Sequence, residues 1–384
     1  MTIFALKLSG LRSIAIFLSW LAIPIGASGQ SVLDSATVDV AFYTAVSSDY
    51  QPFWFGANRD GLIAENKQNI GASVEAYIPY ELNDNWSFEG GAQLIIRNSR
   101  ANSYFHSQDF GLIPNQYFLN TKFKSLSLNI GAYTDRRSII YHELSSGDLG
   151  VSRNARPIPK ISMGFDDYVD VPFTKGWMKI KGAFAHGWME KDRFVPNALL
   201  HEKYLFIKIL EPWVLNLEFG LSHFALFGGD KEGIDTSVSS SEFWNIVTGD
   251  EGAGVASGNY VPGSHLGTLD LAMNFEVDGR DFKVFIQKPW EDSQQIGKQK
   301  FFQKYTDNKD HLIGLHINNP IKKSWLSSLV FEYMHTKLQT GPGLSDVPGG
   351  GAPAELDPDG TLFNQGYPYG QRENYYNNWF YGSG

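Results

Sequence analysis

Apolar and polar residues alternate along much of the chain. From Trp86 onward, Trp86, Phe88, Gly90, Ala92, Leu94 and Ile96 fall on one side, and Ser87, Glu89, Gly91, Gln93, Ile95 and Arg97 on the other. Side chains two residues apart on a strand share a face, so this run predicts a strand with one greasy side and one mostly polar side. The same alternation runs through 68–80, 213–222 and 268–277, and more weakly near 36–46, 113–123, 126–134, 157–164, 176–187, 202–210, 281–289, 309–318 and 326–336. The strong runs have about the length a tilted strand needs to cross a bilayer.

The connections sharpen the picture. Tight turns rich in Asn, Asp, Gly and Pro join several neighbours, at 82–85, 123–125, 211–212, 278–281 and 318–324. Long polar stretches lie between those hairpins, at 98–112, 135–156, 227–264, 290–308 and after 337. Short turns at one end and long loops at the other are the signature of an outer-membrane barrel. Tyr80, Trp86, Phe123, Trp177, Trp213 and Trp325 gather beside the tight turns, as an interfacial aromatic girdle would. Glu75, Glu89, Arg97, Glu218, Asp270 and Glu276 occupy the polar faces, where they would be costly in a dry sheet core and cheap in a wet interior. The expected fold is therefore all-β: a transmembrane antiparallel β-barrel with its apolar faces toward lipid, favoured over a soluble β-sandwich.

Composition agrees. Aromatic residues make up 14% of the chain and Gly contributes 39 residues, which suits many strands joined by turns. The first thirty residues carry Lys7 and Arg12, then an apolar stretch from Ser13 to Ile25, then Ala27-Ser28-Gly29. That order predicts a secretory signal peptide over 1–29 and a β-barrel domain over 30–384. There is no Cys, so a lipid-anchoring cysteine and disulfides are both excluded. A formal net charge of -9 argues against nucleic acid as a partner. Roughly thirteen strands can be read, whereas single-chain bacterial barrels use an even number. The chain stops in YYNNWFYGSG, so the barrel is expected to lack its last strands.

Candidate chemistry is sparse. HEKYL at 201–205 lacks the second His of a zinc-protease motif, and LDPDG at 356–360 lacks the ligand spacing of a calcium loop. The carboxylate neighbours Asp166–Asp167 and Glu190–Asp192 read as solvated loop charges, because a glycosidase needs two carboxyls set across a cleft. No catalytic residue, cofactor or metal is expected. The block 144–203 is the exception to this blandness, with Arg153, Asn154, Arg156, Lys160, His186, Trp188, Arg193, His201 and Lys203 as candidate polysaccharide-binding residues. Basic groups can hold acidic sugars and aromatic rings can stack on sugar faces, although the same residues could simply line a barrel wall and pair with its carboxylates.

Four segments carry a resemblance: PFWFGANRDGLI at 52–63, SRNARPIPKISMGF at 152–165, PFTKGWMKIKGAFAHGWMEKDRFVPNALLHEKYLFIKI at 172–209 and ENYYNN at 373–378. They are similar to the capsule assembly Wzi family, its Bacteroidetes-type members above all. The resemblance implies an outer-membrane barrel of about 18 strands in the full-length family. It further implies a lectin-like, non-enzymatic protein that binds capsular polysaccharide and helps assemble or anchor the capsule, with outer-membrane lipid and lipopolysaccharide as further partners. Enterobacterial members plug the periplasmic end with a helical bundle, and no comparable helical periodicity occurs here. An outer-membrane porin or sugar channel, and a secreted carbohydrate-active enzyme, are the alternative readings.

Overall fold

The computed structural model describes residues 2–9, 35–48, 51–64, 68–100, 110–191, 193–210, 215–249, 263–290, 310–319, 326–336 and 381. The chain divides into two compact units, one comprising 1–147 and 151–167, the other 148–150 and 168–384. Within each unit the strands are antiparallel and neighbour one another in chain order.

The first unit holds β1 (Thr2–Ser9), β2 (Thr37–Val46), β3 (Gln68–Asn83), β4 (Trp86–Arg100), β5 (Phe110–Phe123) and β6 (Leu126–Ala132). It also holds β7 (Lys160–Asp170) as far as Asp167. β1 lies within the segment read as a leader and pairs with β2, Thr2 opposite Thr44. The β3–β4 hairpin turns because Asn83 Oδ1 accepts from the amides of Asn85 (3.0 Å) and Trp86 (3.1 Å), which fixes the reversal locally. Pro114, which cannot donate to a ladder, sits where the β4–β5 register shifts between Gln93 and Leu94. Trp86 packs on Phe123 beside that turn, ring centroids 4.7 Å apart. Trp213 and Trp325 lie outside the described residues.

The second unit holds β8 (Met178–Trp188), β9 (Leu199–Ile209), β10 (Leu215–Phe227), β11 (Ser264–Val277), β12 (Arg280–Trp290), β13 (His311–Asn318) and β14 (Ser328–His335). β11 and β12 are joined by Asp278 and Gly279, both at positive φ (51° and 72°), the two-residue turn whose twist matches a hairpin.

Burial runs opposite to that of a soluble sheet. In β10, Phe219 and Leu221 are exposed (44% and 38%) while Glu218 and Ser222 are buried (3% and 5%). Leu271 and Met273 of β11 are likewise exposed, and Thr268 and Asp270 buried. β3 repeats this, with Ile70 and Val74 exposed against buried Asn69 and Ser73. Apolar surface recurring on strand after strand is more than a water-soluble monomer carries, and it is what a bilayer covers. On the polar face Glu218 meets the ammonium groups of Lys208 (3.4 Å) and Lys283 (3.5 Å) and accepts from Asn274 Nδ2 (2.9 Å). The antiparallel, apolar-out meander expected from the alternation is what the chain forms.

Every strand expected from the alternation is present, but several run further than the pattern shows. β10 continues to Phe227 and β11 begins at Ser264, through His223 and His265, because these strand ends are covered on both faces and need no apolar–polar rhythm. β7 spans Lys160–Asp170 where the weak periodicity pointed to 157–164. The sequence reading also passed over a helix. After the one-turn α1 (Phe53–Gly56), α2 (Ser240–Thr248) interrupts the loop between β10 and β11. Its N-terminus is fixed by a reciprocal capping box: Ser239 Oγ accepts from the Glu242 amide (3.3 Å) and the Ser239 amide donates to Glu242 Oε2 (2.7 Å). Gly249 ends it at φ 83°, a left-handed position that Gly occupies without a steric penalty.

Candidate functional site

The nine candidate binding residues divide between the units: Arg153, Asn154, Arg156 and Lys160 belong to the first, and the other five to the second. In the first unit the segment between β6 and β7 is fastened by charge. Asp60 accepts from Arg153 Nε (3.0 Å) and Nη2 (2.5 Å) and from Thr134 Oγ1 (3.0 Å). Asn154 Oδ1 accepts from the Asn58 amide (3.0 Å), and Asn58 Nδ2 donates to the carbonyls of His142 (2.9 Å) and Ser145 (3.1 Å). Asn58, Asp60 and Arg153 all sit at positive φ, so these contacts hold a backbone that sterics alone would not choose. Burial by itself would lower the Arg153 pKa, but the Asp60 carboxylate it grips outweighs that and raises it. Gly61, at φ 71°, leaves room for Arg156: a Cβ there would lie 2.8 Å from Arg156 Cγ.

A second knot lies beside the first. Asp135 pairs with Arg137 and, at 2.9 Å, with Lys160, and the Lys160 ammonium also stands over the Tyr133 ring (5.2 Å to its centroid). Burial would raise the Asp135 pKa, yet the Arg137 guanidinium and the Lys160 ammonium overcome it and hold the carboxyl far below its usual value. Arg153 and Lys160 are thus engaged within the protein.

In the second unit, Asp148–Gly150 lie on the polar face. Gln287 donates to Asp148 Oδ2 (2.7 Å) and Asp270 Oδ1 (2.6 Å) and accepts from the Leu149 amide (2.6 Å).

The opposite, apolar face of this unit carries the larger feature. α2 lies across the ends of β9 and β10, where Ile246 packs with Ala225 and Phe227, and Lys203 Nζ donates to the carbonyl of Val247. Beneath it a row of imidazoles crosses four strands. His186–His201, His201–His223 and His223–His265 have ring centroids 5.0, 5.8 and 5.1 Å apart, and the Trp290 indole stacks on His223. His223 Nε2 and His265 Nδ1 share a hydrogen bond of 2.9 Å. Among the described residues no His, Asp or Glu group is arranged to hold a metal ion. Lys203 helps seat the helix, and His201 belongs to the imidazole row.

Where α2 begins, a cavity of about 1270 Å³ opens between the β8–β10 ends, the loop 228–239 and the first turn of the helix. His186 and Trp188 reach it from β8, and Phe243 and Trp244 from α2. Both indoles are largely exposed, Trp188 at 47% and Trp244 at 62%. The loop contributes carboxylates and hydroxyls, among them Asp230, Asp235, Thr236 and Ser237. Lys231 lies over the Phe194 ring, 3.9 Å from its centroid, and Val195, Ala198 and Tyr381 pack as a buried cluster under this region. Arg193 is half-buried in the neighbouring loop. This arrangement can stack flat apolar faces on two indoles and accept hydrogen bonds at its rim.

Of the nine residues, His186 and Trp188 line this cleft. Phe243, Trp244 and the acidic loop escape a search for basic residues. The readable signal was Ser239-x-x-Glu242 ahead of an aromatic, apolar run, a helix start inside a loop that otherwise looked featureless.

No curated protein matches the chain. A family model described as capsule assembly protein Wzi matches residues 55–345, which span both knots, the histidine row and the cleft. The chain belongs to the capsule assembly protein Wzi family.

Proposed function

We propose that the protein, as an outer-membrane member of this family, holds capsular polysaccharide at the cell surface through the β8–β10 cleft. Capsule assembly and the outer membrane are the family's province. The glycan-holding step rests on one observation above the others: two exposed tryptophans face a cleft rimmed by carboxylates and hydroxyls. Sugars present apolar C–H faces and hydroxyl edges, and this site offers a surface for each. Binding of this kind involves no covalent step and gains from repetition along a polymer, since each engaged unit raises the local concentration of the next.

The test is binding of extracted capsule to the full chain in lipid. Trp188→Ala and Trp244→Ala are each expected to weaken binding about tenfold, or about 1.4 kcal/mol, without lowering the unfolding temperature. Undiminished binding by the double variant ends the reading.

Export is proposed to follow cleavage after Gly29. N-terminal sequencing of protein isolated from outer membranes should then begin at Gln30, and recovery of an intact Met1 end would refute it.

A further inference from the structure

The cleft opens on the apolar face of the sheet, and we propose that it takes the saccharide of a lipid-anchored glycan of the outer leaflet, reached along the membrane-facing wall. This rests on the glycan reading above and adds the direction of approach.

The register carries the inference. Trp188 pairs with Leu199, and Leu199 with Phe227, so the three strands supply one rung to the cleft. Counting down from that rung by twos, β8 gives His186, Phe184, Gly182 and Ile180, β9 gives His201, Lys203, Leu205 and Ile207, and β10 gives Ala225, His223, Leu221 and Phe219, so the imidazole row under α2 comes first and the apolar band follows directly below it. No register shift interrupts these pairings, so the cleft residues and the exposed apolar residues share a face. Gly187 is the one strand residue of the lining with the opposite parity, and it has no side chain. The polar face of the same strand ends is occupied by Asp148–Gly150: a Cβ on Gly150 would lie 2.6 Å from the Phe224 ring.

The level fits as well. Trp188 follows the exposed Phe184 by four residues, ~13 Å along a strand, or roughly 10 Å of height once tilted. The headgroup layer adds about 5–8 Å to each side of the hydrocarbon, so the cleft stands where sugars borne on lipid emerge. Trp244, exposed on α2, suits that interface. At the rim Asp230, Glu232 and Asp235 outnumber Lys231, whose ammonium lies over the Phe194 ring, so the cleft accepts from sugar hydroxyls and disfavours an anionic headgroup.

The chain has no cysteine, so Ser237→Cys gives a single attachment point for a fluorophore at the rim. The labelled full chain is reconstituted into phosphatidylcholine vesicles, and the probes are lipopolysaccharide from the source cells, the oligosaccharide released from it, and soluble capsule polymer. The expected result is a response to lipopolysaccharide in the same bilayer at a concentration at least about tenfold below that of the released oligosaccharide, because confinement to the plane raises the effective concentration. Lipopolysaccharide in separate vesicles should give none, and Trp188→Ala with Trp244→Ala should abolish the response. If released oligosaccharide or soluble polymer acts as well as the anchored form, the lateral approach is wrong while glycan holding stands. If no saccharide moves the label, both fail.

Discussion

Asp135→Ala is expected to release the segment between β6 and β7, at a cost of about 3–5 kcal/mol. The carboxylate stands between Arg137 and Lys160, whose side chains are only 7% and 6% exposed. Removing it takes the shared counter-charge from two buried cations that face each other. Asp135→Ala combined with Lys160→Met should recover part of the loss, since the second change removes one stranded charge. Proteolysis of the 133–159 segment in otherwise folded protein gives the readout. The pH dependence has a definite sign. Asp135 is depressed in the folded protein, so its contribution is full above its ordinary pKa near 4 and fades as pH falls toward the lower folded value. The gap between native protein and variant should thus be wide at pH 7 and narrow in acid. Equal cleavage of the two at pH 7 would show that the knot holds nothing.

Leu271→Arg tests the other face. Leu271 stands mid-strand on β11, opposite Phe219 on one side and Ile286 on the other, and it is 43% exposed. On a water-soluble protein an exposed Leu→Arg change stays within about 0.5 kcal/mol of neutral. At the middle of a bilayer it costs roughly 2–4 kcal/mol. Denaturant unfolding from lipid vesicles separates the two by magnitude, and a neutral result would remove the membrane from the account of this face.

Much of this wall was legible from the alternation alone. Leu215 to Ser222 reads as one apolar and one polar side, and the structure exposes and buries them in that order, because a strand with one face in oil must keep a period of two. The ends of the same strands were not legible. Ala225 and Phe227 are covered by α2 on one side while Phe224 meets the 148–150 segment on the other, and two-sided burial erases the rhythm. The cleft residues were legible only in part, for a related reason. Arg153 and Lys160 look like ligand-seeking cations in a linear reading, and only folding brings Asp60 and Asp135 to them. Trp188 stands out by its ring and lines the cleft; Trp244 is masked by the polarity of the loop around it.

The period of two also bears on how such a chain reaches its destination. Interleaving each greasy residue with a hydrophilic one keeps every apolar run after residue 29 well short of the eighteen or so residues that would span a membrane as a helix. Only when a segment extends and its residues sort to opposite sides does a continuous oily band come into being. The molecule can therefore travel through an aqueous compartment unsorted, and its affinity for lipid arises in the act of folding.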